Sequence, residues 1–311
     1  MTTLINRHSR GVYVISATPF TETGALDLDS TDRMVDGYLA MGVDGMTILG
    51  IMGEAPKLTA EESVSFAARV LDRVNGRVPV IVGVSGAGLD MMAALTAAVM
   101  DAGAAGVMVA PPRGLSPEDR QRRYYAQVAA ALGEGVPICL QDFPQTTSVQ
   151  FSVETLLAIT RDVPQVVMLK HEDYPGLAKL SDVRAGSETG DVPRISILSG
   201  NSGLFLPLEL GRGADGAMTG FAYPEMMVDV VRAYAEGSPD RADDLFDAYL
   251  PLVRYDQQPG IGLAIRKEIL RRRGLIASPT VRAPGPKLSS ADHEELSRLM
   301  ARLERRLAEL G

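Results

Sequence analysis

The residues best suited to chemistry in this chain follow one short apolar run, Val166–Leu169. Lys170 comes directly after that run, and Glu172 follows two positions later. Because side chains alternate between the two faces of a strand, Lys170 and Glu172 should share one face and His171 should lie on the other. A lysine at the end of an apolar strand is poorly solvated, which favours the neutral amine that forms a Schiff base with a ketone. An ordinary strand-end lysine that reaches for water would show the same pattern, so both interpretations stay open.

The rest of the chain has a repeating order of elements that could position this lysine. Short β-type runs recur about every thirty residues, with helical patterns between them. The runs are Val12–Ala17, Gly45–Leu49, Val78–Val84, Val107–Ala110, Pro137–Leu140, Val166–Leu169, Ile195–Leu198 and Gly216–Met218. Eight strands alternating with helices predict an α/β fold of the (β/α)8 TIM-barrel type. An open doubly wound sheet is the alternative, but no glycine-rich dinucleotide fingerprint follows the first run, which favours the closed barrel.

Only helical patterns follow the eighth run. They lie at Asp229–Glu236, Ala242–Leu252, Gly262–Arg273 and Ala291–Leu310. We therefore expect a (β/α)8 barrel with the catalytic site in residues 1–224, and a C-terminal helical annex of the same domain in residues 225–311. The length of 311 residues fits this arrangement, because such barrels often run to about 250 residues as one domain.

Charge and composition narrow the classes of partner and compartment. The net charge is -8 and the pI about 5.1, which argues against a nucleic-acid or anionic-membrane partner. Met1–Arg10 lacks the apolar core of a signal peptide, and no apolar run approaches the ~18 residues of a membrane span. The single cysteine, Cys139, cannot pair within the chain, so a reducing compartment fits. We expect a cytoplasmic protein.

In a (β/α)8 barrel the active site lies at the carboxyl ends of the strands. Polar and turn residues gather at those positions here, whereas the opposite strand ends are plain. Besides Lys170 and Glu172, the candidates are Thr18 after strand one, Gly50, Ile51 and Met52 after strand two, Gln141 after strand five, Ser199 and Asn201 after strand seven, and Met218 at the end of strand eight. Turn chemistry could explain several of them one by one. Together they predict a pocket with an amine, carboxylates, amides and hydroxyls.

Four ordered stretches carry a resemblance to a known family. They are Ala17–Phe20, Gly50–Glu54 with its continuation to Glu62, the lysine after the sixth run, and Gly213–Gly216. In these stretches the chain resembles the dihydrodipicolinate synthase / N-acetylneuraminate lyase family of class I aldolases. The resemblance implies that pyruvate or another 2-oxo acid forms a Schiff base on Lys170, and we expect no metal or cofactor. It also implies that backbone N–H groups of Ile51 and Met52 bind the substrate carboxylate, and that the protein is a homotetramer, a dimer of dimers.

The departures from this family are as informative as the matches. Its synthase and lyase members carry hydroxyl residues where Ile51 and Met52 stand, and a proton-relaying tyrosine where Gln141 stands. A second synthase tyrosine aligns near Arg113, and an arginine for the second substrate aligns near Thr146. An amide cannot trade a proton at neutral pH as a phenol can. Dihydrodipicolinate synthesis is therefore the less favoured function.

Glu172 is the candidate to move protons in place of that tyrosine. It lies ~6–7 Å from Lys170 along the strand, within reach of the carbon next to an imine on that lysine. A salt bridge between Glu172 and an arginine such as Arg113 is the structural alternative. The Lys-x-Glu arrangement with Gln141 resembles the 2-keto-3-deoxy sugar-acid dehydratase branch of the family, typified by 2-keto-3-deoxyarabonate dehydratase. His171 is expected to be structural.

We therefore predict a Schiff-base-forming lyase that dehydrates a small-molecule 2-oxo acid of the 2-keto-3-deoxy sugar-acid type. Lys170 would be the nucleophile and Glu172 the acid–base group, while Ser199 and Asn201 would bind substrate hydroxyls. A pyruvate-dependent aldolase would share the imine but cleave C3–C4, and it stays open. So do a pyruvate-binding regulator without turnover and a metal-dependent barrel enzyme, although no strand-end set offers enough clustered His, Asp and Glu for a metal.

Overall fold

Eight parallel strands close into a barrel in chain order, and β8 pairs back with β1. The computed structural model describes residues 3–310, so the first two residues of Met1–Arg10 and the final Gly311 lie outside it. The strands are β1 Gly11–Ile15, β2 Gly45–Ile48, β3 Val80–Gly83, β4 Gly106–Val109, β5 Ile138–Asp142, β6 Val166–His171, β7 Ser196–Ser199 and β8 Gly216–Ala217. The predicted (β/α)8 barrel is confirmed.

Helices follow each strand and continue beyond the last one. Around the barrel they are α1 Leu28–Ala40, α2 Ala60–Val74, α3 Leu89–Asp101, α4 Glu118–Leu132, the single turn α5 Pro144–Thr147, α6 Val153–Asp162, α7 Leu177–Gly186, α8 Leu206–Gly211 and α9 Pro224–Ala235. The C-terminal extension contains α10 Pro239–Asp256, α11 Gly262–Arg272 and α12 Ser290–Leu310. Within residues 3–310, no helix combines the length and apolar character needed to cross a membrane.

Alternating side chains build an apolar layer on each side of the barrel wall. Along β1, Val12 and Val14 join the layer between strands and helices, whereas Tyr13 and Ile15 join a smaller cluster inside the barrel. All four are buried. Strands covered on both faces read as continuous apolar runs, and each buried aliphatic side chain stabilises the fold by about 1.5–3 kcal/mol.

The start of α2 shows how local sequence sets one border of the site. The Thr59 hydroxyl accepts from the backbone N–H of Glu62 at 3.1 Å, and the Glu62 carboxylate accepts from the Thr59 N–H at 3.0 Å. This capping box satisfies N–H groups that a helix start cannot pair internally. It anchors the far end of the loop that follows β2.

The C-terminal helices do more than cover the barrel. Helix α9, which the predicted division assigns to the annex, packs against β1 and β8 and fills the last position in the ring of barrel helices. Helix α10 packs against α9, α11 and α12. Asp256 at the end of α10 and Arg266 of α11 both reach Ser202, just after β7. The annex therefore borders the carboxyl ends of the strands.

Candidate active site

A cavity of about 680 Å³ opens at the carboxyl ends of the strands, a volume suited to a small molecule. Six of the residues that the sequence selects line it. They are Lys170, Glu172, Gln141, Ile51, Met52 and Asn201. These six residues contribute one lysine, one carboxylate, two amides and two apolar side chains to the lining.

Lys170, Glu172 and Gln141 form a directly bonded set on this wall. Lys170 Nζ lies 2.7 Å from Glu172 Oε1, and Gln141 Nε2 donates to the same oxygen at 2.6 Å. Lys170 and Glu172 are only 5% and 6% exposed, so little water competes for the ion pair. Arg113, the alternative partner for Glu172, is exposed at the surface. A carboxylate in contact with a lysine amine can exchange protons with it and with a compound bound to it.

Strand register explains how these three side chains meet. Gln141 of β5 is the register partner of Lys170 of β6. Sheet pairing continues past the end of β6, because the Glu172 N–H donates to the Asp142 carbonyl at 2.9 Å. Gly200 leaves room for the Glu172 side chain, since a Cβ at that position would lie 2.1 Å from Glu172 Cγ.

The loop after β2 contributes backbone groups rather than hydroxyls. In the described part of the chain, no acceptor bonds the backbone N–H groups of Ile51 and Met52. Thr18 holds this loop from behind, because its hydroxyl donates to the Gly53 carbonyl at 2.6 Å. Unbonded N–H groups beside a cavity are suited to binding a carboxylate.

Glu54 ties the same loop to the C-terminal part of the chain. This carboxylate is 2% exposed and lies 2.5 Å from Lys267 Nζ and 2.9 Å from Lys57 Nζ. Its Oε2 also accepts from the backbone N–H of Arg282 at 3.0 Å. Burial lowers the pKa of Lys267, although the Glu54 charge opposes that shift. Glu54 thus fixes the loop by buried ion pairs.

Four selected residues do not line the cavity. Ser199 ends β7, and its inward neighbour Leu198 lies inside the barrel, so the serine points outward to the helices. Met218 is fully buried inside the barrel, with its sulfur 3.9 Å from Cys139 Sγ. Thr18 and Gly50 are buried supports of the strand-two loop rather than lining residues. The structure therefore places these four positions outside the lining of the cavity.

A second set of polar groups lies behind β5, β6 and β7, on their outer face. Asp142 Oδ2 lies 2.7 Å from Lys179 Nζ and 3.8 Å from His171 Nδ1, and His171 Nε2 is 3.0 Å from the Gly176 carbonyl. Burial raises the pKa of Glu209 to about 7, against the opposing effects of His171 and Ser199. We call Asp142, His171, Lys179, Ser199 and Glu209 the outer polar cluster.

The structure also adds residues that the sequence did not suggest. Arg266, Asp256 and Ser202 line the cavity beside Met52. Burial raises the pKa of Asp256, while Arg266 and Ser202 lower it. Helical spacing predicted a helix around Arg266, but no sequence signal indicates which of its faces meets the barrel. Among residues 3–310, no group of three or more His, Cys, Asp and Glu is arranged to hold a metal ion.

Comparison with known proteins identifies the family. The sequence pattern described as "Dihydrodipicolinate synthetase family" matches residues 8–303. The chain belongs to this family. It is 34% identical over 309 residues to an L-2-keto-3-deoxyarabonate dehydratase from Azospirillum brasilense, covering 98% of this chain and 97% of that protein. The predicted resemblance to the family is confirmed, one similar relative is a dehydratase, and the protein is an enzyme of the lyase class.

Solved structures of this family have the same fold over nearly the whole chain. A dihydrodipicolinate synthase from Rhodopseudomonas palustris superposes with a TM-score of 0.95 at 45% identity, covering 97% of this chain and 100% of that one. A prophage protein of the dihydrodipicolinic acid synthase family from E. coli K12, solved in complex with pyruvate, superposes with a TM-score of 0.86 at 27% identity. That alignment covers 95% of this chain and 98% of the prophage protein. Relatives thus carry both synthase and dehydratase names.

Proposed function

We propose that this family member dehydrates a 2-keto-3-deoxy sugar acid, such as 2-keto-3-deoxyarabonate, through a Schiff base on Lys170. One observation carries the proposal. Glu172 Oε1 contacts both Lys170 Nζ and Gln141 Nε2, at 2.7 Å and 2.6 Å, inside the cavity. The similarity to the Azospirillum brasilense dehydratase supports the same reaction class.

The geometry supports a sequence of proton transfers through Glu172. The Lys170 amine attacks the C2 ketone and water leaves, which forms an iminium that acidifies the C3 hydrogens. Glu172 removes one C3 proton and generates an enamine. The enamine expels the C4 hydroxyl, and protonated Glu172 delivers the proton that makes it water. Rearrangement and hydrolysis of the imine then release a dioxo acid and regenerate Lys170.

The properties of Gln141 support the assignment of Lys170 as the nucleophile and Glu172 as the acid–base group. Its amide donates a hydrogen bond but cannot supply a proton at neutral pH, so it holds the Glu172 carboxylate toward Lys170. The only titratable partner in contact with the amine is then Glu172 within the described residues. Ser199 points away from the cavity and is not assigned a proton-transfer role in this proposal. A single acid–base group is sufficient for a dehydration in which one proton is removed and one is delivered.

The test is NMR identification of products after mixing the protein with 2-keto-3-deoxypentonates, with Lys170→Ala as the control. The semialdehyde of 2-oxoglutarate, formed by the wild type alone, is the expected result. Pyruvate with a two-carbon aldehyde would instead make the protein an aldolase. Loss of activity with a chelator would favour a metal-dependent enzyme. No product from any such acid, combined with pyruvate binding, would favour a regulator.

Location and assembly belong to the same proposal. We propose a cytoplasmic homotetramer that acts on a small-molecule 2-oxo acid. The single cysteine, Cys139, is a free buried thiol, which fits a reducing compartment. Sedimentation velocity of the purified protein tests the assembly, and a dimer or monomer at micromolar concentration would contradict it.

A further inference from the structure

Arg266 is an arginine of the annex placed in the wall of the cavity. Its side chain is 12% exposed, and it shares the lining with Lys170 and Met52. A guanidinium in a partly enclosed cavity is a strong donor for a carboxylate, because its planar N–H groups match the two carboxylate oxygens. The first question is whether its donors are already used.

Two of the three guanidinium nitrogens are bound within the protein. Nε donates to Asp256 at 3.1 Å, and Nη2 donates to Asp256 Oδ2 at 2.5 Å and to Ser202 Oγ at 2.8 Å. Ser202 in turn donates to Asp256 Oδ2 at 2.9 Å. Asp256 is fully buried, and its carboxylate compensates the charge of the Arg266 guanidinium. The pair fixes the direction of the remaining nitrogen.

That remaining nitrogen, Nη1, points to the loop after β2. Its protein partner is the sulfur of Met52, which is a weak acceptor. Gly220 leaves room for the Met52 side chain beside Arg266, since a Cβ on this glycine would be 2.0 Å from the Met52 sulfur. Among the described residues, Nη1 therefore bonds only a weak acceptor on the loop whose Ile51 and Met52 N–H groups are unbonded.

We propose that Arg266 binds the carboxylate of the 2-oxo acid through Nη1, together with the backbone N–H groups of Ile51 and Met52. Asp256 and Ser202 act as positioning residues for the guanidinium. In this role Arg266 replaces the hydroxyl donors that Ile51 and Met52 lack. The inference rests on the proposed function, because it assigns the carboxylate end of the same substrate.

The neutral ion pair could instead be a structural link between annex and barrel. The two roles differ in what the loss of Arg266 would change. A carboxylate ligand affects every 2-oxo acid equally, whatever its chain length, and does not affect a neutral ketone. Loss of a structural link would lower the stability of the protein, or it would raise the half-saturating concentrations of all ketones alike.

The test is borohydride trapping of the imine in the wild type, Arg266→Lys and Arg266→Gln. Pyruvate, a 2-keto-3-deoxypentonate and hydroxyacetone, which has the ketone but no carboxylate, are compared by their half-saturating concentrations. Arg273→Lys is the matched control. Arg273 caps the same helix and stacks over Tyr223 with its guanidinium carbon 4.2 Å from the ring centre, outside the cavity.

We expect both Arg266 variants to raise the half-saturating concentrations of pyruvate and of the longer acid about ten- to 100-fold, as for loss of a charged hydrogen bond. The hydroxyacetone value and all values of Arg273→Lys should stay within about twofold of wild type. Unchanged pyruvate values in both Arg266 variants would overturn the proposal. An equal loss with hydroxyacetone would also overturn it and indicate a structural link.

Failure of the proposed function would be distinguishable. If pyruvate does not form a trapped adduct in the wild type, the Schiff-base mechanism is wrong, and calorimetric titration with pyruvate then tests the carboxylate site alone. Weaker binding in Arg266→Lys than in Arg273→Lys would still support the site, and equal binding would contradict it. Thermal unfolding of each variant confirms that folded proteins are compared.

Discussion

The two faces of β6 carry titratable groups that differ in what surrounds them. On the inner face, Lys170 and Glu172 form an ion pair that borders a cavity of about 680 Å³. On the outer face, four members of the outer polar cluster, His171, Asp142, Ser199 and Glu209, are buried between strands and helices. Both faces have buried charges, but only the inner one leaves space for a small molecule. The comparison shows that a buried titratable group indicates a reactive site only when a substrate can reach it.

The same difference extends to what each face stabilises. The outer Asp142–Lys179 pair connects β5 to α7, whereas the inner Lys170–Glu172 pair connects two residues of one strand end. Removing one partner of a buried ion pair leaves an uncompensated charge, which lowers the free energy of unfolding. We therefore expect substitutions on the outer face to change stability and substitutions on the inner face to change turnover.

The largest effect on turnover is expected when Glu172 is substituted, and the adjacent His171, on the opposite face, serves as the control. Glu172→Gln should lower kcat for dehydration by roughly 10²–10⁴-fold, because it removes the acid–base group. Borohydride trapping of pyruvate on Lys170 should persist in this variant. His171→Gln, the control on the next residue, should keep kcat within about threefold while lowering stability. Equal losses of kcat in the two variants would contradict the assignment of catalysis to the inner face of β6 and stability to the outer face.

A stability effect is expected on the outer face. Lys179→Met leaves Asp142 with only the more distant His171 as a basic partner among the described side chains and should lower the free energy of unfolding by about 3–5 kcal/mol. Urea unfolding measures the change. Arg123→Met is the control, because Arg123 pairs with Asp119 on the exposed surface and should cost less than about 1 kcal/mol. A change in kcat without a change in stability would contradict the assignment.

A smaller effect on turnover should follow from moving Glu172 without removing it. Gly200→Ala places a methyl group against the Glu172 side chain and should lower kcat by about tenfold to 100-fold, because a displacement of about 1 Å disturbs proton transfer. Gly88→Ala is the matched control, since its Cβ would meet open space. Steady-state kinetics of both variants decide the point, and a wild-type kcat in Gly200→Ala would argue against a catalytic Glu172.

The smallest effect is a pH dependence of stability from Glu209. Burial raises the pKa of this carboxyl from the ordinary 4.5 to about 7 in the folded state. As the pH rises, Glu209 therefore loses its proton in the unfolded chain before it does so in the folded protein, which favours unfolding. The stability that protonated Glu209 provides below pH 4.5 is lost as the pH rises through about 7. Glu209→Gln should remove this loss, so its free energy of unfolding relative to wild type should rise by about 2–3 kcal/mol between pH 5 and pH 8. A constant difference across that range, measured by urea unfolding, would contradict it.

Much of the fold and part of the site could be predicted from local patterns. The eight runs, the capping box at Thr59 and the lysine after the sixth run depend on neighbouring residues alone. Helix α7 carries a weaker local signal, because its apolar residues are not gathered on one face. Ser199 was misplaced because β7 extends one residue beyond the predicted end, so strand alternation rather than turn geometry directs its side chain. Element boundaries, more than element types, limit such assignments.

The sequence by itself determined the barrel, the family and the pairing of Lys170 with Glu172, since alternation along one strand places both on the same face. Only the tertiary structure decided which side chains from distant segments share the cavity. Arg266 and Asp256 belong to helices far along the chain from β6, and no periodicity states where those helices dock. The physical reason is that local spacing fixes the direction of a side chain within its element, whereas packing between elements sets which directions converge.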